Sequence, residues 1–475
     1  MGANIKKIDA SNHFGTAFVR DNTILYRKSI NLSMFRSACL LLLLCFGIPP
    51  SLNGQSNFEF THGKKKTKIR FTLVNNLILI PVQVNGYPLQ FILDSGVNYS
   101  LLFSNDKVRS LPFEEKKSFQ LKGLGTNKSI DAYRVLANTF RVRNMISHKH
   151  EILLIPEEEY VFSKRMGTQI DGILGYSFFQ DHVVAIDYNR KVLTVALLEE
   201  KIKRKPKGVT LPIALHQRKP FIPIKVQLND STQVEGNVLL DSGSSDALWL
   251  FEGVHGIKKK APFFKDFLGT GINGDIFGHR GKVDQVVLSN YSMQEVKVAY
   301  PDTTAFQKIK FIDNRIGSIG GEFLSRFKVQ INYPERELYL RPNRGSQKPF
   351  YYNLSGMELG FDGVRLVKEQ MSPIRRRSIA DNDESGGVEV YLNQRYQLKL
   401  YQSIAVIQIR PDSPAEKAGL KIGDVITHIN RKSLHHLPLS EVIAKLQTHP
   451  KDKIRISYLR GGKSFRTFIV LEKLF

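Results

Sequence analysis

The apolar residues of this chain fall in short runs separated by turn residues, a pattern typical of β-strands rather than of long helices. Apolar runs at 71–74 and 78–84 are followed by Asn85-Gly86, a dipeptide that favours a tight hairpin turn, and then by a further run at 87–93. The same order of strand, turn and strand returns over 221–240. The pattern predicts a mainly β protein in which one structural unit occurs twice.

Both copies end their strand in the same tripeptide, Asp-Ser-Gly, at 94–96 and at 241–243. Apolar runs precede and follow each tripeptide, so a strand delivers the carboxylate into a turn and returns as a second strand. Such a turn places the carboxylate at the base of a cleft. One Asp-Ser-Gly is an ordinary turn sequence, but the matching flanks make the pair informative.

The duplication continues downstream of each tripeptide. Residues 171–175 read Asp-Gly-Ile-Leu-Gly and residues 317–320 read Gly-Ser-Ile-Gly. Each segment is followed by aromatic residues and by a strand that ends in Asp-Tyr (187–188) or Asn-Tyr (332–333). The repeat is too long for a solenoid and fits a duplicated domain.

These motifs resemble the paired lobes of pepsin-like or retropepsin-like aspartic proteases, over roughly residues 69–342. The resemblance implies two β-barrel lobes, 55–200 and 208–342, joined by a lysine-rich linker at 201–207. It also implies that Asp94 and Asp241 are the catalytic pair. Since both lobes lie in one chain, a monomer is expected to hold a complete site.

Two carboxylates held about 3 Å apart cannot both ionise, so the pair shares one proton. The ionised member can take a proton from water while the protonated member hydrogen-bonds the scissile carbonyl. Ser95 and Ser242 are expected to hold the carboxylates in plane, and Gly96 and Gly243 to let the two loops approach each other. Val97 departs from the small residue usual after the tripeptide, and is expected to crowd the pair or to raise its pKa by excluding water.

This mechanism needs no cofactor and no metal. The twelve histidines show no zinc-binding spacing such as H-E-x-x-H, and His148 and His150 are expected to lie in a loop. No metal site is therefore predicted.

A glycine-rich segment follows each loop, at 121–126 and at 268–274. In the family that the lobes resemble, a mobile hairpin closes over the substrate, which makes Gly123, Gly125, Gly269 and Gly271 flap candidates. A plain turn is the alternative for both segments.

The C-terminal part has a different pattern. Residues 411–420 and 423–430 resemble the core of a PDZ domain of the bacterial protease-associated type, so 350–475 is expected to be a PDZ domain with a polar insertion at about 369–396. The resemblance implies a loop at 357–361 that receives a peptide's C-terminal carboxylate, beside an amphipathic groove helix. A closed domain used as a spacer is the alternative. The expected peptide-binding residues are Met357, Glu358, Leu359, Gly360, Phe361, Leu439, Val442, Ile443 and Leu446.

Residues 34–54 have the order of a secretory signal peptide: a short basic start, an apolar core at 38–48 and a polar end. The core is too short to span a bilayer comfortably, so we expect cleavage, a secreted or periplasmic protein and no stable membrane span. An uncleaved signal-anchor that tethers the protein is the alternative. Residues 1–33 are expected to precede the true start at Met34.

Cys39 and Cys45 both lie in the signal segment, which excludes disulfides and thiolate chemistry from the mature protein.

The formal net charge is +25, with basic runs at 64–66, 201–207 and 375–377. These runs lie at a terminus, a linker and a loop, without an aromatic platform or a known reader motif beside them. We expect solvated segments and no nucleic-acid partner; binding to nucleic acid or to an anionic membrane is the alternative.

The sequence thus predicts an aspartic endopeptidase acting on peptide or protein substrates, with a PDZ module that recognises a peptide C-terminus. The alternative is a catalytically inactive protein that uses the same lobes as a peptide-binding groove. Both aspartates are present, and this favours the enzyme because a binding groove has no need for two buried like charges.

Overall fold

Strands make up most of the described chain, as the alternation of apolar and polar positions predicts. The computed structural model describes residues 57–121, 130–156, 165–200, 202–271, 274–306, 314–370, 396–446 and 449–474. The first lobe contains β1 (Glu59–Phe60), β2 (Lys66–Arg70), β3 (Thr72–Val74), β4 (Leu77–Val84), β5 (Tyr87–Leu93), β6 (Ser100–Phe103), α1 (Asp106–Arg109), β7 (Glu114–Leu121), β8 (Ile130–Val142), β9 (Met145–Ile155), β10 (Gly172–Leu174), α2 (Tyr176–Phe179), β11 (Val183–Asp187) and β12 (Val192–Ala196).

The second lobe contains β13 (Val209–Pro212), β14 (Ala214–His216), β15 (Lys219–Asn229), β16 (Thr232–Leu240), β17 (Leu248–Leu250), β18 (Phe264–Gly271), β19 (Gly274–Leu288), β20 (Tyr291–Pro301), β21 (Arg315–Ile319), α3 (Gly321–Leu324), β22 (Phe327–Asn332) and β23 (Glu337–Pro342). Two 3₁₀ turns, Val254–Gly256 and Thr303–Ala305, lie in its loops. The C-terminal domain contains β24 (Met357–Gln370), β25 (Tyr396–Ile409), α4 (Pro414–Lys417), β26 (Val425–Ile429), β27 (Lys432–Ser433), α5 (Leu439–Lys445), β28 (Lys453–Arg460) and β29 (Lys463–Val470).

The two lobes repeat one topology. The first lobe's sheet has the order β1-β9-β6-β10-β5-β4-β8-β7, and the second lobe's sheet has the order β14-β15-β16-β21-β17-β20-β19-β18. In the first, β10 pairs parallel to β5 and antiparallel to β6; in the second, β21 pairs parallel to β16 and antiparallel to β17. The duplicated motifs of the sequence therefore occupy equivalent positions in both sheets.

A third sheet, of six strands, joins the lobes. Its order is β13-β23-β22-β11-β12-β2, and its central pair, β11 and β22, comes one strand from each lobe. The linker between the lobes is fastened to this sheet, since Arg204 donates to Glu337 Oε2 at 2.7 Å. A buried apolar core runs through both lobes and this sheet, and includes Phe179 and Phe327.

The C-terminal domain has its own sheet, ordered β24-β25-β26-β28-β29, and its own core. The expectation of a loop at 357–361 is wrong: these residues begin strand β24, and Met357 pairs with Ile409. They form a strand because Met357 and Leu359 alternate into the core. Strands β24 and β25 stay paired up to Gln370 and Tyr396, and the inserted residues 371–395 lie outside the described chain.

The segment that leads into the C-terminal domain is bound to the second lobe through specific polar contacts. Tyr352 donates to the carbonyls of Gly281 and Val298, the latter at 3.2 Å. Lys297 Nζ donates to the carbonyl of Tyr351 at 2.9 Å. Strands β19 and β20 of the second lobe therefore hold this connecting segment in place.

Within the described residues, none of the helices combines the length and the apolar character needed to cross a membrane. The signal segment 34–54, residues 1–33 and both cysteines lie outside those residues.

Candidate active site

The two Asp-Ser-Gly turns start from equivalent positions of the duplicated sheets. The amide of Asp94 donates to the carbonyl of Leu174 at 3.0 Å, and the amide of Asp241 donates to the carbonyl of Ile319 at 2.9 Å. The glycine-flanked apolar segments of the sequence are thus the strands β10 and β21 that anchor the turns. This explains why the two kinds of motif recur together.

The serines link one turn to the other. Ser95 Oγ accepts from the amide of Ser242 at 3.1 Å and donates to the carbonyl of Leu240 at 2.6 Å. Ser242 Oγ accepts from the amide of Ser95 at 3.0 Å and donates to the carbonyl of Leu93 at 2.9 Å. The expectation that these hydroxyls hold the carboxylates in plane is wrong, because each hydroxyl is engaged by the backbone of the opposite loop. The serines fix the loops to each other.

The glycines hold the carboxylates. The amide of Gly96 donates to Asp94 Oδ1 at 2.7 Å, and the amide of Gly243 donates to Asp241 Oδ1 at 3.0 Å. A Cβ at Gly243 would lie 2.1 Å from Asp94 Oδ2, and a Cβ at Gly96 would lie 3.0 Å from the Asp241 carboxyl carbon. The residue after each serine must therefore be glycine for the two loops to approach this closely.

Burial raises the pKa of both aspartates above the usual range. For Asp94 the charge of Asp241 raises the pKa further, and the two carboxyl groups hydrogen-bond to each other. The hydrogen bond from the amide of Gly96 and the positive charge of Lys219 both act to lower the pKa of Asp94. A buried pair of this kind holds one proton between two carboxyl groups across a range of pH.

Lys219 is a cation at the pair that the sequence analysis missed. In the β15–β16 hairpin Phe221 pairs with Leu239, and continuing this register sets Lys219 opposite Asp241. The equivalent register of the β4–β5 hairpin sets Leu77 opposite Asp94. Burial lowers the pKa of Lys219, while the charges of both aspartates raise it. Comparing the two hairpins position by position would have revealed this difference.

Arg315 adds a second positive charge on the same side. Its Nε donates to the carbonyl of Gly317 at 3.3 Å, and its guanidinium lies 5.2 Å from the ring centroid of Phe251. Burial lowers its pKa to about 10, and the charge of Asp241 opposes that change. Both cations come from the second lobe, so the pair sits in an asymmetric electrostatic field.

Val97 lies beside the first turn. Its carbonyl accepts from the amide of Tyr176 at 3.1 Å, and its Cγ2 would be 2.8 Å from a Cβ at Gly175. The effect of Val97 on catalysis stays a prediction.

The two flap candidates of the second lobe lie at the tip of a β-hairpin. Gly271 pairs with Gly274 at the end of β18 and β19, and Gly269 has φ +156° where the strand pairing shifts register. Glycine tolerates this backbone conformation at low cost. Gly123 and Gly125 lie outside the described residues, between β7 and β8, whose pairing ends at Leu121 and Ile130.

An ion-pair network joins this hairpin to the second Asp-Ser-Gly turn. Arg280 Nη1 lies 2.8 Å from Asp246 Oδ1, and Arg280 Nε lies 2.9 Å from Asp266 Oδ2. The indole of Trp249 donates to Asp246 Oδ2 at 2.6 Å, and its ring packs with Leu268 beneath the hairpin. The network therefore fixes the hairpin stem relative to the residues that follow Asp241.

The expected peptide-binding side chains of the C-terminal domain are mostly inside it. Leu439, Val442 and Leu446 are buried in the domain core, whereas Ile443 is partly buried. Amphipathic periodicity marks the face that a helix buries, and here that face packs on its own domain. Strand β24 is at the edge of the described sheet and lies beside helix α5, so the backbone groups of an edge strand lie next to that helix.

The basic linker residues contribute to a concave surface away from the aspartates. A cavity of about 1080 Å³ lies on the six-stranded sheet and is lined by many cations and one carboxylate, Asp187. The cations are Lys68, Arg70, Arg141, Arg143, Arg190, Lys203, Lys205, Lys328 and Arg341.

His148 and His150 do not lie in a loop; both belong to strand β9. His150 is fully buried, with Nε2 at 2.9 Å from Ser100 Oγ and Nδ1 at 3.0 Å from Ser147 Oγ. Burial lowers its pKa to about 3. Two consecutive exposed residues, His148 and Lys149, break the alternation of strand β9, and Lys149 has φ +49°. His150 is therefore buried where strict alternation would have exposed it.

Two family models match the chain. Residues 80–178 match the "Aspartyl protease" model, and residues 406–460 match the "PDZ domain" model. The first match includes Asp94 and β10, and the second covers much of the C-terminal sheet.

Three bacterial proteins share parts of the sequence. The chain is 29% identical over 131 residues to a "Probable CtpA-like serine protease" of Staphylococcus saprophyticus, and the matched region covers 26% of the length of each chain. It is 37% identical over 82 residues to a "Probable periplasmic serine protease do/HhoA-like" of Haemophilus influenzae, 17% of the length of each chain. It is 32% identical over 73 residues to "Serine endoprotease DegS" of H. influenzae, 15% of the length of this chain and 21% of that one. The chain thus spans about a quarter or less of the length of these relatives.

The predicted fold class is confirmed: the protein is mainly β, with barrel-like lobes followed by a C-terminal PDZ domain. It carries an aspartyl-protease-like segment together with that domain.

Proposed function

We propose that this protein is an aspartic endopeptidase in which Asp94 and Asp241 together activate a water molecule against a peptide bond. One carboxylate takes a proton from the water as the water attacks the scissile carbonyl carbon. The other, protonated, carboxyl group hydrogen-bonds the carbonyl oxygen and stabilises the developing charge. The proton gained by the first carboxylate then goes to the leaving amine.

One observation carries this proposal: the buried carboxyl group of Asp94 and the partly buried carboxyl group of Asp241, one from each lobe, hydrogen-bond to each other in matched turns. Keeping two carboxyl groups together and out of water is costly, and the chain meets this cost with two glycine amides and two nearby cations. A peptide-binding groove without catalysis gains nothing from such an arrangement. The inactive alternative is therefore less well supported.

A serine mechanism is the second candidate, because the relatives are named serine proteases. It needs a hydroxyl within reach of a histidine that is oriented by a third group, most often a carboxylate. Ser100 and His150 are in contact, but both are buried in the sheet and the other ring nitrogen of His150 contacts Ser147. This pair offers no access to a substrate. In the PDZ domain, Ser433 Oγ lies 2.5 Å from His435 Nδ1, and His435 Nε2 lies 3.4 Å from Glu369 Oε1. That second set has no counterpart in the duplicated turns, and inhibition by a sulfonyl fluoride tests it.

The PDZ domain is proposed to bind an extended peptide along strand β24, since this mode uses the free backbone groups of an edge strand. Leu439, Val442 and Leu446 would then support the groove from inside, and Ile443 would be the member of that set nearest to a ligand. We further propose that the enzyme acts as a monomer outside the cytoplasm. The duplicated lobes and the periplasmic relative support these two points.

Variants of the aspartates test the mechanism. Asp94→Asn, Asp241→Asn and the double variant should each reduce hydrolysis of a mixed peptide library by a similar, large factor, because removal of one member of a cooperating set removes the mechanism. The assay should cover about pH 3 to 8, the range over which such a pair titrates. Asp187→Asn, on the six-stranded sheet, is a control carboxylate away from the turns.

Two inhibitors separate the candidate mechanisms. A peptide with a secondary hydroxyl in place of the scissile amide mimics the tetrahedral intermediate and should bind tightly to an aspartic enzyme. A sulfonyl fluoride, which reacts with activated serines, should leave activity unchanged. Substantial activity in Asp94→Asn, or loss of activity with the sulfonyl fluoride, would contradict the aspartic mechanism.

A further inference from the structure

Two histidines and a carboxylate from separate parts of the PDZ domain meet at one point. Glu369 lies near the end of strand β24, and His435 and His436 lie between β27 and helix α5. His435 Nε2 is 3.4 Å from Glu369 Oε1, and His436 Nε2 is 3.0 Å from the same oxygen. One ligand atom from each residue lies within 4.8 Å of the others.

We propose that Glu369, His435 and His436 form a binding site for a divalent transition-metal ion, with Zn²⁺ as the representative case. Nitrogen and oxygen ligands on a tetrahedral Zn²⁺ lie about 3.3 Å apart, given bond lengths near 2.0–2.1 Å. The two measured separations fall on either side of that value. Imidazole together with carboxylate suits zinc and related transition metals rather than Mg²⁺ or Ca²⁺, which prefer oxygen ligands.

The second nitrogen of each histidine is engaged by a hydroxyl group. His435 Nδ1 lies 2.5 Å from Ser433 Oγ, and His436 Nδ1 lies 3.4 Å from Tyr401 OH. Such outer contacts orient the ring and direct its other nitrogen toward the metal. In both residues Nε2 is therefore the nitrogen that faces Glu369.

Access and burial also fit a small ion. The side chains of Glu369 and His435 are 13% and 12% exposed, while His436 is 62% exposed. Two ligands are thus largely shielded from solvent, and the third leaves an entry path and room for water to complete the coordination.

Two positively charged groups at the site oppose a cation: Lys399, which contacts Glu369, and Arg365, whose charge acts on His435. Lys399 Nζ lies 3.2 Å from Glu369 Oε2, the oxygen turned away from the histidines. Oε1 stays directed to the histidines and also accepts from Tyr401 OH at 2.5 Å. The lysine should weaken metal binding by charge repulsion without occupying the ligand oxygen.

The position of the site gives it a mechanical consequence. Strand β24 and the segment entering helix α5 flank the proposed peptide groove, so a bound ion would link its two walls. This consequence depends on the proposed peptide binding, whereas the metal site itself does not. The site is also independent of Asp94 and Asp241.

Calorimetric titration of the purified chain with ZnCl₂, without a histidine tag, tests the site. We expect one ion per chain, with His435→Ala, His436→Ala and Glu369→Gln each weakening binding by at least about tenfold. His449→Ala is the matched control, because His449 also lies beside a carboxylate, Asp452, but outside the cluster. Lys399→Gln should strengthen binding.

His436→Ala decides the outcome because this exposed side chain is the least needed for folding. In the wild type Zn²⁺ should raise the midpoint of thermal unfolding and Co²⁺ should give visible d–d bands, and His436→Ala should lose both effects. Unchanged affinity in His436→Ala, equal losses in His449→Ala, or no saturable binding by the wild type would overturn the proposal. Loss of peptidase activity in Asp94→Asn, with metal binding retained, keeps this test separate from that of the proposed function.

Discussion

Lys219 lies near the charges of Asp94 and Asp241, a pair that in the proposed mechanism must keep one proton in order to act. Its positive charge stabilises the ionised forms of the pair and so lowers the pKa of both proton-loss steps. In a bell-shaped pH profile, the acidic limb follows the first of these steps and the basic limb follows the second. Under the proposed mechanism, the lysine is therefore expected to extend activity toward lower pH.

Replacing Lys219 with Met should shift both limbs of the kcat/KM profile to higher pH by about one unit, since an opposite charge nearby accounts for a shift of that size. Lys219→Arg keeps the charge and should keep the profile. The measurement is hydrolysis of one short peptide at closely spaced pH values. An unmoved profile, or a shift to lower pH, would show that Lys219 does not set the protonation of the pair.

At the level of single residues, the matched flanks were sufficient to predict that Asp94 and Asp241 lie together. The role of the serines was wrong because a hydroxyl beside a carboxylate in sequence need not bond to it. Ser95 and Ser242 point across the lobe boundary, which depends on the mutual placement of two distant loops. Lys219 and Arg315 were missed because only pairing across strands brings them to the aspartates.

The β18–β19 hairpin depends on a buried arginine at its stem. The side chain of Arg280 is 14% exposed, and its partners Asp246 and Asp266 are 15% and 18% exposed. Arg280 also donates to the carbonyls of Phe267 and Leu268 at 3.2 and 3.3 Å. Removing it would leave two carboxylates and two carbonyls without this donor in a largely dry region.

Arg280→Met should therefore lower the free energy of unfolding by about 3 kcal/mol, as expected when one partner of a buried ion pair is removed. Lys282→Met is the matched control on the same strand, because its partner Glu295 is 67% exposed and such a pair contributes less than about 1 kcal/mol. Chemical denaturation measures both. Equal effects in the two variants would mean that the Arg280 network has no special role in holding the hairpin.

At the level of elements, periodicity predicted the strands and the hairpin turn at Asn85-Gly86, both of whose residues have positive φ. Periodicity could not predict which strands lie at the edge of a sheet, where their backbone groups are available to a ligand. The segment 357–361 was expected to be a loop because of a motif, yet its alternating core contacts make it a strand. Glu369 and His435 are far apart in sequence, so no spacing rule could reveal the cluster they form.

Across the whole molecule, the lobes are joined by the six-stranded sheet, which takes its central strands from both. The sequence predicted a duplication but not this shared sheet, because a repeat does not specify how its copies associate. Lys203 and Lys205 of the linker, which was expected to be solvated, line one concave surface of that sheet together with basic residues outside the linker. Their common location arises from the pairing of β11 with β22 and was therefore hidden in the sequence.

The segment between the second lobe and the PDZ domain is part of the folded lobes. Phe350 is 2% exposed and belongs to their core, and the guanidinium of Arg326 lies 3.4 Å from its ring centroid. Tyr352 bonds to the second lobe, whereas Leu354 belongs to the PDZ core. A chain truncated after residue 345 would lose these contacts, so the boundary for removing the PDZ domain lies after Asn353.

We predict that truncation after Asn353 lowers kcat/KM by about tenfold or more for protein substrates that end in an apolar residue, while short peptides that occupy the cleft alone are cleaved as before. The physical reason is that a substrate held by the PDZ domain is tethered near the aspartates, which raises its effective concentration without new contacts at the scissile bond.

Both substrate classes should be assayed with the full chain and with the chains truncated after residue 353 and after residue 345. Thermal unfolding of all three chains should be measured as well. The 345-residue chain should unfold at a lower temperature and lose activity on both classes, because it lacks Phe350 and Tyr352. Equal losses on both classes in a stable 353-residue chain would mean that the PDZ domain supports the lobes and does not select substrates.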